Sequence, residues 1–304
     1  MFNSIWDDLK YSMRTGDMAT KLIVVNFAVF VLTKLLFLIL GGFTLGNPDS
    51  AYSTVLHYFC VPGDPMRLLM QPWSLFTHIF LHDSLWHLVS NLLFLHLFAR
   101  IVSDLIGDRR ILPLYILGGL TGALFFIVSA MLNIIPAGYA LGASGAVMAL
   151  GGATLILAPD YRVSLLILGN VKVKYIVLVQ LLLDLTAVAG SYSSGGPIAH
   201  IAGFLLGCAF VYQLRDGKDW TEPVDRVLTW FEGLFSGRNR YQKKSRKPGP
   251  MKATHVRETQ KSAPPAREQE YQEHLDAILD KIKQSGYESL TTEEKEFLYQ
   301  ASQK

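Results

Sequence analysis

Residues 111–158 read ILPLYILGGLTGALFFIVSAMLNIIPAGYALGASGAVMALGGATLILA and carry no charged side chain over 48 positions. A water-soluble domain cannot expose such a stretch, because its surface needs polar and charged groups. Charge is also scarce around it: residues 22–214 hold 15 Asp, Glu, Lys or Arg, whereas residues 215–304 hold 32. The sequence therefore predicts a polytopic membrane protein with a polar C-terminal tail.

Six segments are apolar enough to cross a bilayer, which takes about 20 residues. Hydrocarbon offers the backbone no partners except its own groups, so such segments form helices. We therefore predict an all-α, polytopic membrane protein, a bundle of six transmembrane helices with a soluble helical tail. The predicted spans are residues 22–41, 85–106, 111–132, 140–158, 175–189 and 198–214.

Lys and Arg residues gather in alternate loops of this arrangement. Lys10, Arg14 and Lys21 precede the first span, Arg109 and Arg110 separate the second from the third, and a basic tail follows the sixth. Because cytoplasmic loops carry the excess of positive charge, we expect both termini in the cytoplasm. The second, fourth and sixth spans then begin at the outer face.

Polar residues occur near the outer ends of those three spans. At 1.5 Å per residue, Ser144 is expected about 6 Å below the start of span four, and His200 about 3 Å below that of span six. His87 and Asn91 occur at a similar depth in span two. Side chains from three spans are therefore expected at one shallow depth.

Ser144 and His200 are the candidates for nucleophilic chemistry. A hydroxyl needs a base to take its proton, and a neutral imidazole suits that task near pH 7. An ionisable residue in a membrane helix indicates a functional site by default. The alternative for the Gly-x-Ser-Gly motif around Ser144 is helix packing, since small residues serve that purpose in membranes.

Glycines accompany both candidates, and they are expected to let two helices approach closely. They are Gly142 and Gly145 beside the serine, and Gly203 and Gly207 on the face of the histidine. His87 and Asn91 are four residues apart and share a helix face. Their N–H groups, with the backbone N–H of Ser144, suit a developing oxyanion. Interhelical hydrogen bonding is the alternative role for this pair.

These residues resemble the motifs of the rhomboid intramembrane serine proteases, over about residues 20–214. The resemblance rests on His87-x-x-x-Asn91, Gly142-x-Ser144-Gly145 and Ala199-His200-x-x-Gly203, in that order along the chain. It implies a Ser-His dyad without an acid, with Ser144 as nucleophile and His200 as general base. His87 and Asn91 match the positions that stabilise the oxyanion.

The resemblance also implies where and on what the protein acts. Rhomboids cleave transmembrane segments of other membrane proteins near the outer face, without a metal or an organic cofactor. It implies a bacterial inner-membrane protease with a C-terminal cytoplasmic extension. The alternative is a non-proteolytic rhomboid-like protein that binds membrane clients, although such proteins usually lack the serine or the histidine. A transporter is a weaker alternative, because no inverted repeat is visible.

Other ionisable residues have structural interpretations. The chain contains no Glu before Glu222, which excludes an HExxH metalloprotease site in the membrane part. Histidines at positions 57, 78, 82, 87 and 96 would need an activating base to serve a catalytic metal, so we predict no metal site. We interpret Lys34 as reaching toward the membrane surface and Asp184 as facing the bundle, rather than as parts of an ion path.

Five regions are predicted along the chain. Residues 1–20 form a cytoplasmic N-terminal segment and residues 21–214 the membrane domain. Residues 215–236 form an amphipathic juxtamembrane helix, and residues 237–267 a basic disordered linker close to the anionic inner leaflet. Residues 268–304 form a helical hairpin with a Thr291-x-x-Glu294 capping box, which docks on a partner or self-associates because its core is small. No nucleic-acid partner is expected.

Overall fold

A computed structural model describes residues 16–43, 48–165, 169–189, 195–236, 266–286 and 289–302. The chain divides into residues 1–240 and residues 241–304. The helices are α1 Met18–Phe43, α2 Pro48–His57, α3 Pro65–Met70, α4 Ser74–Thr77, α5 Leu85–Ile106, α6 Ile111–Met131, α7 Ser144–Leu157, α8 Val173–Ala189, α9 Gly196–Arg215, α10 Thr221–Ser236, α11 Ala266–Ser285 and α12 Thr292–Ser302. The strands are β1 Val61–Pro62, β2 Tyr139–Ala140, β3 Arg162–Leu165 and β4 Gly169–Lys172.

Helices occupy all six predicted spans, which confirms the polytopic helical fold. Four stretches of the described residues are long and apolar enough to cross a membrane: 18–40, 85–106, 108–131 and 196–215. Helix α7 has 14 residues and α8 has 17. At 1.5 Å per residue α7 is about 21 Å long, shorter than a hydrocarbon core of about 30 Å. A six-span core therefore stays a prediction.

The start of α7 corrects the prediction that a helix begins at residue 140. Tyr139 and Ala140 instead form strand β2, which pairs antiparallel with Pro62 and Val61 of the connection between α1 and α5. Gly142 has a φ of +125°, which helical residues do not adopt. The helix therefore begins at Ser144, four residues later than predicted.

Helix α7 lies at the centre of the bundle. Its residues from Gly145 to Thr154 are all buried, and it packs against α5, α6, α8 and α9. A helix apolar on every side is expected to be surrounded by other helices. Ser144 is therefore carried by the most enclosed helix of the protein's described part.

The ends of the helices are held by polar contacts on the Arg/Lys-rich side. Both carboxyl oxygens of Asp108 accept from the N–H of Met18, at 2.9 and 3.1 Å, which caps the start of α1. Asp160 contacts the Nζ atoms of Lys172 and Lys174 at 2.9 Å each, where the β3–β4 hairpin leads into α8. These contacts fix the connections between the spans.

The juxtamembrane helix α10 begins at Thr221, later than the predicted residue 215, because α9 continues to Arg215. Arg109 pairs with Asp225, and Arg110 Nε lies 2.8 Å from Oδ2 of Asp219. Several apolar side chains of this region are exposed, namely Trp220, Val227, Trp230 and Phe231. Residues 237–265, which hold nearly all of the predicted disordered linker, lie outside the described residues.

Helices α11 and α12 form a hairpin whose turn contains Gly286, with a φ of +78°. The predicted capping box is present: the Thr291 N–H donates to Oε2 of Glu294 at 2.7 Å, and the Glu294 N–H donates to Oγ1 of Thr291 at 3.3 Å. Lys281 on α11 donates to both carboxyl oxygens of Glu294 at 2.9 Å. One acid thus caps α12 and ties it to α11.

Candidate active site

Ser144 follows a turn that requires glycine. The N–H of Gly142 donates to the carbonyl of His78 at 2.9 Å. A Cβ atom on Gly142 would lie 2.9 Å from Nε2 of His87 and 3.7 Å from Oγ of Ser144. The first N–H groups of a helix have no partner within it, so this hydroxyl lies among donors that can stabilise negative charge.

Glycine also brings α7 and α9 into backbone contact. A Cβ atom on Gly203 would lie 2.0 Å from the carbonyl oxygen of Gly145, and one on Gly207 would lie 1.9 Å from that of Ala149. Real Cβ atoms do not approach backbone oxygens so closely. Gly142 was also expected to support this packing, but it lies in the turn before α7, against His87.

One cavity connects the four predicted site residues. Its volume is about 120 Å³. A water molecule takes about 30 Å³ in the liquid, so this space suits a few waters or one small side chain. Helices α5, α7, α8 and α9 all contribute to its wall. The lining residues are His87, Ser90, Asn91, Phe94, Ser144, Val147, Met148, Gln180 and His200.

The imidazole of His200 is held by an acid on another helix. Its Nδ1 atom lies 2.8 Å from Oδ1 of Asp184, which is on α8. The Asp184 side chain is 6% exposed and that of His200 is 21% exposed. Among the described residues, this ring makes a hydrogen bond to Asp184 and none to Ser144. The resemblance implies a dyad without an acid, which stays a prediction, and it does not include this contact with Asp184.

The second imidazole at the cavity has the same kind of contact. Nδ1 of His87 lies 2.8 Å from Oδ1 of Asp83, one turn earlier. The Nδ2 atom of Asn91 donates to the carbonyl of His87 at 2.9 Å, which leaves its second N–H for another acceptor. His87 therefore presents Nε2 toward Gly142 and Ser144, the side on which an oxyanion would develop.

The other loop histidines serve the fold. His78 is buried, and its Nδ1 contacts the carbonyl of Ser74 at 2.9 Å. His82 is fully buried, and neither of its ring nitrogens has a hydrogen-bond partner in the described structure. Burial lowers the pKa of both rings to about 4. The part of the chain that the structure describes contains no group of three His, Cys, Asp or Glu arranged to hold a metal ion.

The sequence named four of the polar groups that line this cavity, but it did not predict that Asp184 contacts one of them. Ser144, His200, His87 and Asn91 all line it. Asp184 was interpreted only as facing the bundle; it does so, but it also contacts His200. The sequence signal for this contact is an acidic side chain at membrane depth, because a charge there costs free energy unless it has a partner. Lys34, interpreted as reaching for the surface, donates to the carbonyl of Asp83 at 2.6 Å.

Residues 69–216 match the rhomboid domain. The matched segment is similar to that domain over slightly less than half of the chain. It contains every polar group of the cavity described above, together with Asp184. The protein is therefore an integral, multi-pass membrane protein. Residues 266–304, which include the hairpin, match a family of unknown function (DUF6576).

Curated proteins similar to this chain also carry rhomboid names. The presenilin-associated rhomboid-like protein, mitochondrial, of Bos taurus is 25% identical over 241 residues, 76% of this chain and 56% of the relative. Its counterpart in Homo sapiens is 25% identical over 246 residues, with 77% and 57% covered. RHOMBOID-like protein 1 of Arabidopsis thaliana is 31% identical over 145 residues, with 47% and 35% covered. The chain thus spans little more than half the length of the mitochondrial relatives.

Proposed function

We propose that this protein is an intramembrane serine endopeptidase that hydrolyses peptide bonds in or near transmembrane segments of other membrane proteins. The observation that carries the proposal is the cavity of about 120 Å³, because Ser144, His200, His87 and Asn91 all line it. A nucleophile, a base and oxyanion donors facing one space are what acyl transfer needs. The rhomboid domain supports the same reaction class.

The first half of the reaction forms an acyl-enzyme. Ser144 Oγ attacks the scissile carbonyl carbon while its proton passes to Nε2 of His200. The carbonyl oxygen becomes an oxyanion, which accepts hydrogen bonds from the backbone N–H of Ser144 and from His87 and Asn91. The C–N bond then breaks, the proton on His200 passes to the leaving amine, and the acyl group remains as an ester on Ser144.

Water completes the reaction. A water molecule attacks the ester carbon while His200 takes its proton, and the Ser144 oxygen leaves and recovers that proton. The product carries a new carboxyl group, and the enzyme returns to its starting state. A second cavity of about 30 Å³, large enough for one water, borders Ser144 on its other side, next to Gly119, Gly122 and Ala199. It supplies a place for water within a bilayer.

The depth of the site in the membrane supports the proposal that its substrates are transmembrane segments. Helix α7 is shorter than the hydrocarbon core, so at least one of its ends lies below a membrane surface. With both termini in the cytoplasm of a bacterial cell, Ser144 opens toward the outer face. The basic tail then lies near the anionic inner leaflet, and residues 268–304 bind a partner or a second copy of the chain.

Cleavage of a model transmembrane substrate by the full-length protein in proteoliposomes tests the proposal. We expect Ser144→Ala and His200→Ala each to abolish cleavage. Ser129→Ala and His96→Ala are the matched controls, because Ser129 is a buried serine and His96 an exposed histidine, and both lie outside the cavity. Both variants are expected to cleave the substrate normally. A fluorophosphonate probe is expected to label the wild type at Ser144 alone. Unchanged cleavage by Ser144→Ala would exclude the mechanism, and no cleavage or labelling by the wild type would favour client binding.

A further inference from the structure

We infer that Asp184 is a positioning residue that orients the His200 imidazole and fixes which of its nitrogens carries the proton. The inference rests on the proposed function, in which His200 is the base. It adds an acid on a neighbouring helix to the serine and the histidine. The contact that carries it is the 2.8 Å separation between Oδ1 of Asp184 and Nδ1 of His200.

The surroundings of Asp184 make this contact its main interaction. Its side chain is 6% exposed and lies on an apolar helix. The Nε2 atom of Gln180 is 3.4 Å from each carboxyl oxygen, at the long limit of a hydrogen bond. Neither Lys nor Arg pairs with it in the described part of the chain. An unpaired carboxylate in such a place is costly, so the His200 N–H is its natural partner.

The chemistry of the two groups determines the direction of the hydrogen bond. An ionised carboxylate has only acceptor sites, so Nδ1 of His200 must be the donor. In a neutral imidazole the other nitrogen, Nε2, then keeps its lone pair. That nitrogen is the one that must accept the proton of Ser144. The same carboxylate stabilises the imidazolium that forms when the proton arrives.

The charged and titratable groups facing His200 are few. Helix α8 contributes Asp184, and helix α5 contributes His87 across the cavity, whose Nδ1 is already bonded to Asp83. Helix α7 contributes the uncharged Ser144. Asp184 is thus the one carboxylate in hydrogen-bond contact with His200 among the described residues, and no other group there takes its place.

Kinetics of the full-length enzyme with a transmembrane substrate test the inference. Asp184→Asn removes the charge while keeping the shape, and we expect kcat to fall at least about tenfold with KM within twofold. The same change in a soluble serine protease costs about 10⁴-fold, which sets an upper limit. Asp184→Glu is expected to recover part of kcat. Asp160→Asn is the matched control, because Asp160 contacts Lys174 at the start of α8 and does not touch His200.

Two measurements separate positioning from a purely structural role. The rate of fluorophosphonate labelling at Ser144 is expected to fall in Asp184→Asn, but not to fall further when Asp184→Asn is added to His200→Ala. Equal losses in both backgrounds would overturn the inference, as would wild-type kcat in Asp184→Asn. Non-additivity is the expected result for two residues that act through one another.

A spectroscopic measurement keeps the inference testable even where Asp184→Asn does not fold. Nitrogen NMR of the histidine-labelled wild type, assigned by comparison with His200→Ala, reports which ring nitrogen carries the proton. We expect the Nδ1–H form for neutral His200, and an Nε2–H form would overturn the inference. The outcome is independent of cleavage, so failure of the proposed function is recognised separately, by absent cleavage and absent labelling of Ser144.

Discussion

A Cβ atom on Gly203 would lie 2.0 Å from the carbonyl oxygen of Gly145, which shows that α9 and α7 touch through their backbones at this point. The contact lies one turn below His200 and one residue after Ser144. Any side chain at position 203 would push the two helices apart. The distance between nucleophile and base in the proposed mechanism therefore depends on a residue with no side chain.

Gly203→Ala is expected to destabilise the protein by about 2 kcal/mol or more, because backbone atoms must move to admit the methyl group. Thermal unfolding in detergent measures this change. Gly233→Ala is the matched control: a Cβ there meets nothing within 4 Å on helix α10, so it is expected to be neutral or slightly stabilising. Equal unfolding temperatures for Gly203→Ala and the wild type would contradict the packing described here.

His87→Ala is expected to lower kcat by about 10²- to 10³-fold, the usual effect of removing one oxyanion donor. Donation from Nε2 while Nδ1 remains bonded to Asp83 requires a doubly protonated ring, so Asp83→Asn is expected to lower kcat as well, by a smaller factor. Asp64→Asn changes another acid of the same loop and serves as the control. Wild-type kcat in His87→Ala would remove this residue from the proposed mechanism.

Acid is expected to destabilise the folded protein through its buried loop histidines. Burial lowers the pKa of His78 and His82 from about 6.5 to about 4. Between these values the unfolded chain binds protons that the folded chain excludes. Each ring therefore lowers the free energy of unfolding by about 1.4 kcal/mol per pH unit as the pH falls from 6.5 to 4.

His82→Phe is expected to halve that pH dependence, because one of the two buried rings can no longer be protonated. At pH 7 the variant is expected to be at least as stable as the wild type, since the unpaired ring nitrogens of His82 are removed. Unfolding temperatures at pH 7 and pH 5 provide the measurement. An unchanged difference between the two temperatures would argue against a neutral, buried His82.

Thr291→Ala is expected to loosen helix α12 by about 1 kcal/mol, because its hydroxyl accepts from the N–H of Glu294. Hydrogen exchange over residues 292–302 in the full-length protein measures the effect. Thr292→Ala, at the exposed next position, is the control and is expected to change exchange little. Equal protection in Thr291→Ala and the wild type would show that the cap contributes nothing.

The sequence predicts a helix correctly where local signals mark both of its ends. Helix α5 begins and ends at the predicted residues, Leu85 and Ile106. Ser84 caps its start, since its Oγ accepts from the N–H of His87, and Gly107 ends it with a φ of +95°. A predominantly apolar stretch between two such signals determines a span without information from elsewhere in the chain.

Local sequence signals predict neither the start of α7 nor the role of Asp184. Strand β2 pairs with β1, 79 residues earlier at the Val61–Ala140 pair, so local hydrophobicity alone extends the helix too far. The contact of Asp184 with His200 depends on how α8 is rotated against α9. An almost uniformly apolar helix carries little periodicity from which to read that rotation.

The pairing of Val61 with Ala140 also constrains the order of assembly. The loop that contains Val61 is synthesised well before residue 140, so its strand has no partner until α5 and α6 have been synthesised. We therefore expect the loop to acquire its final shape late, when the segment leading to Ser144 has been synthesised. Truncated chains that stop before residue 139 would keep their helices yet leave that loop without its two-residue ladder.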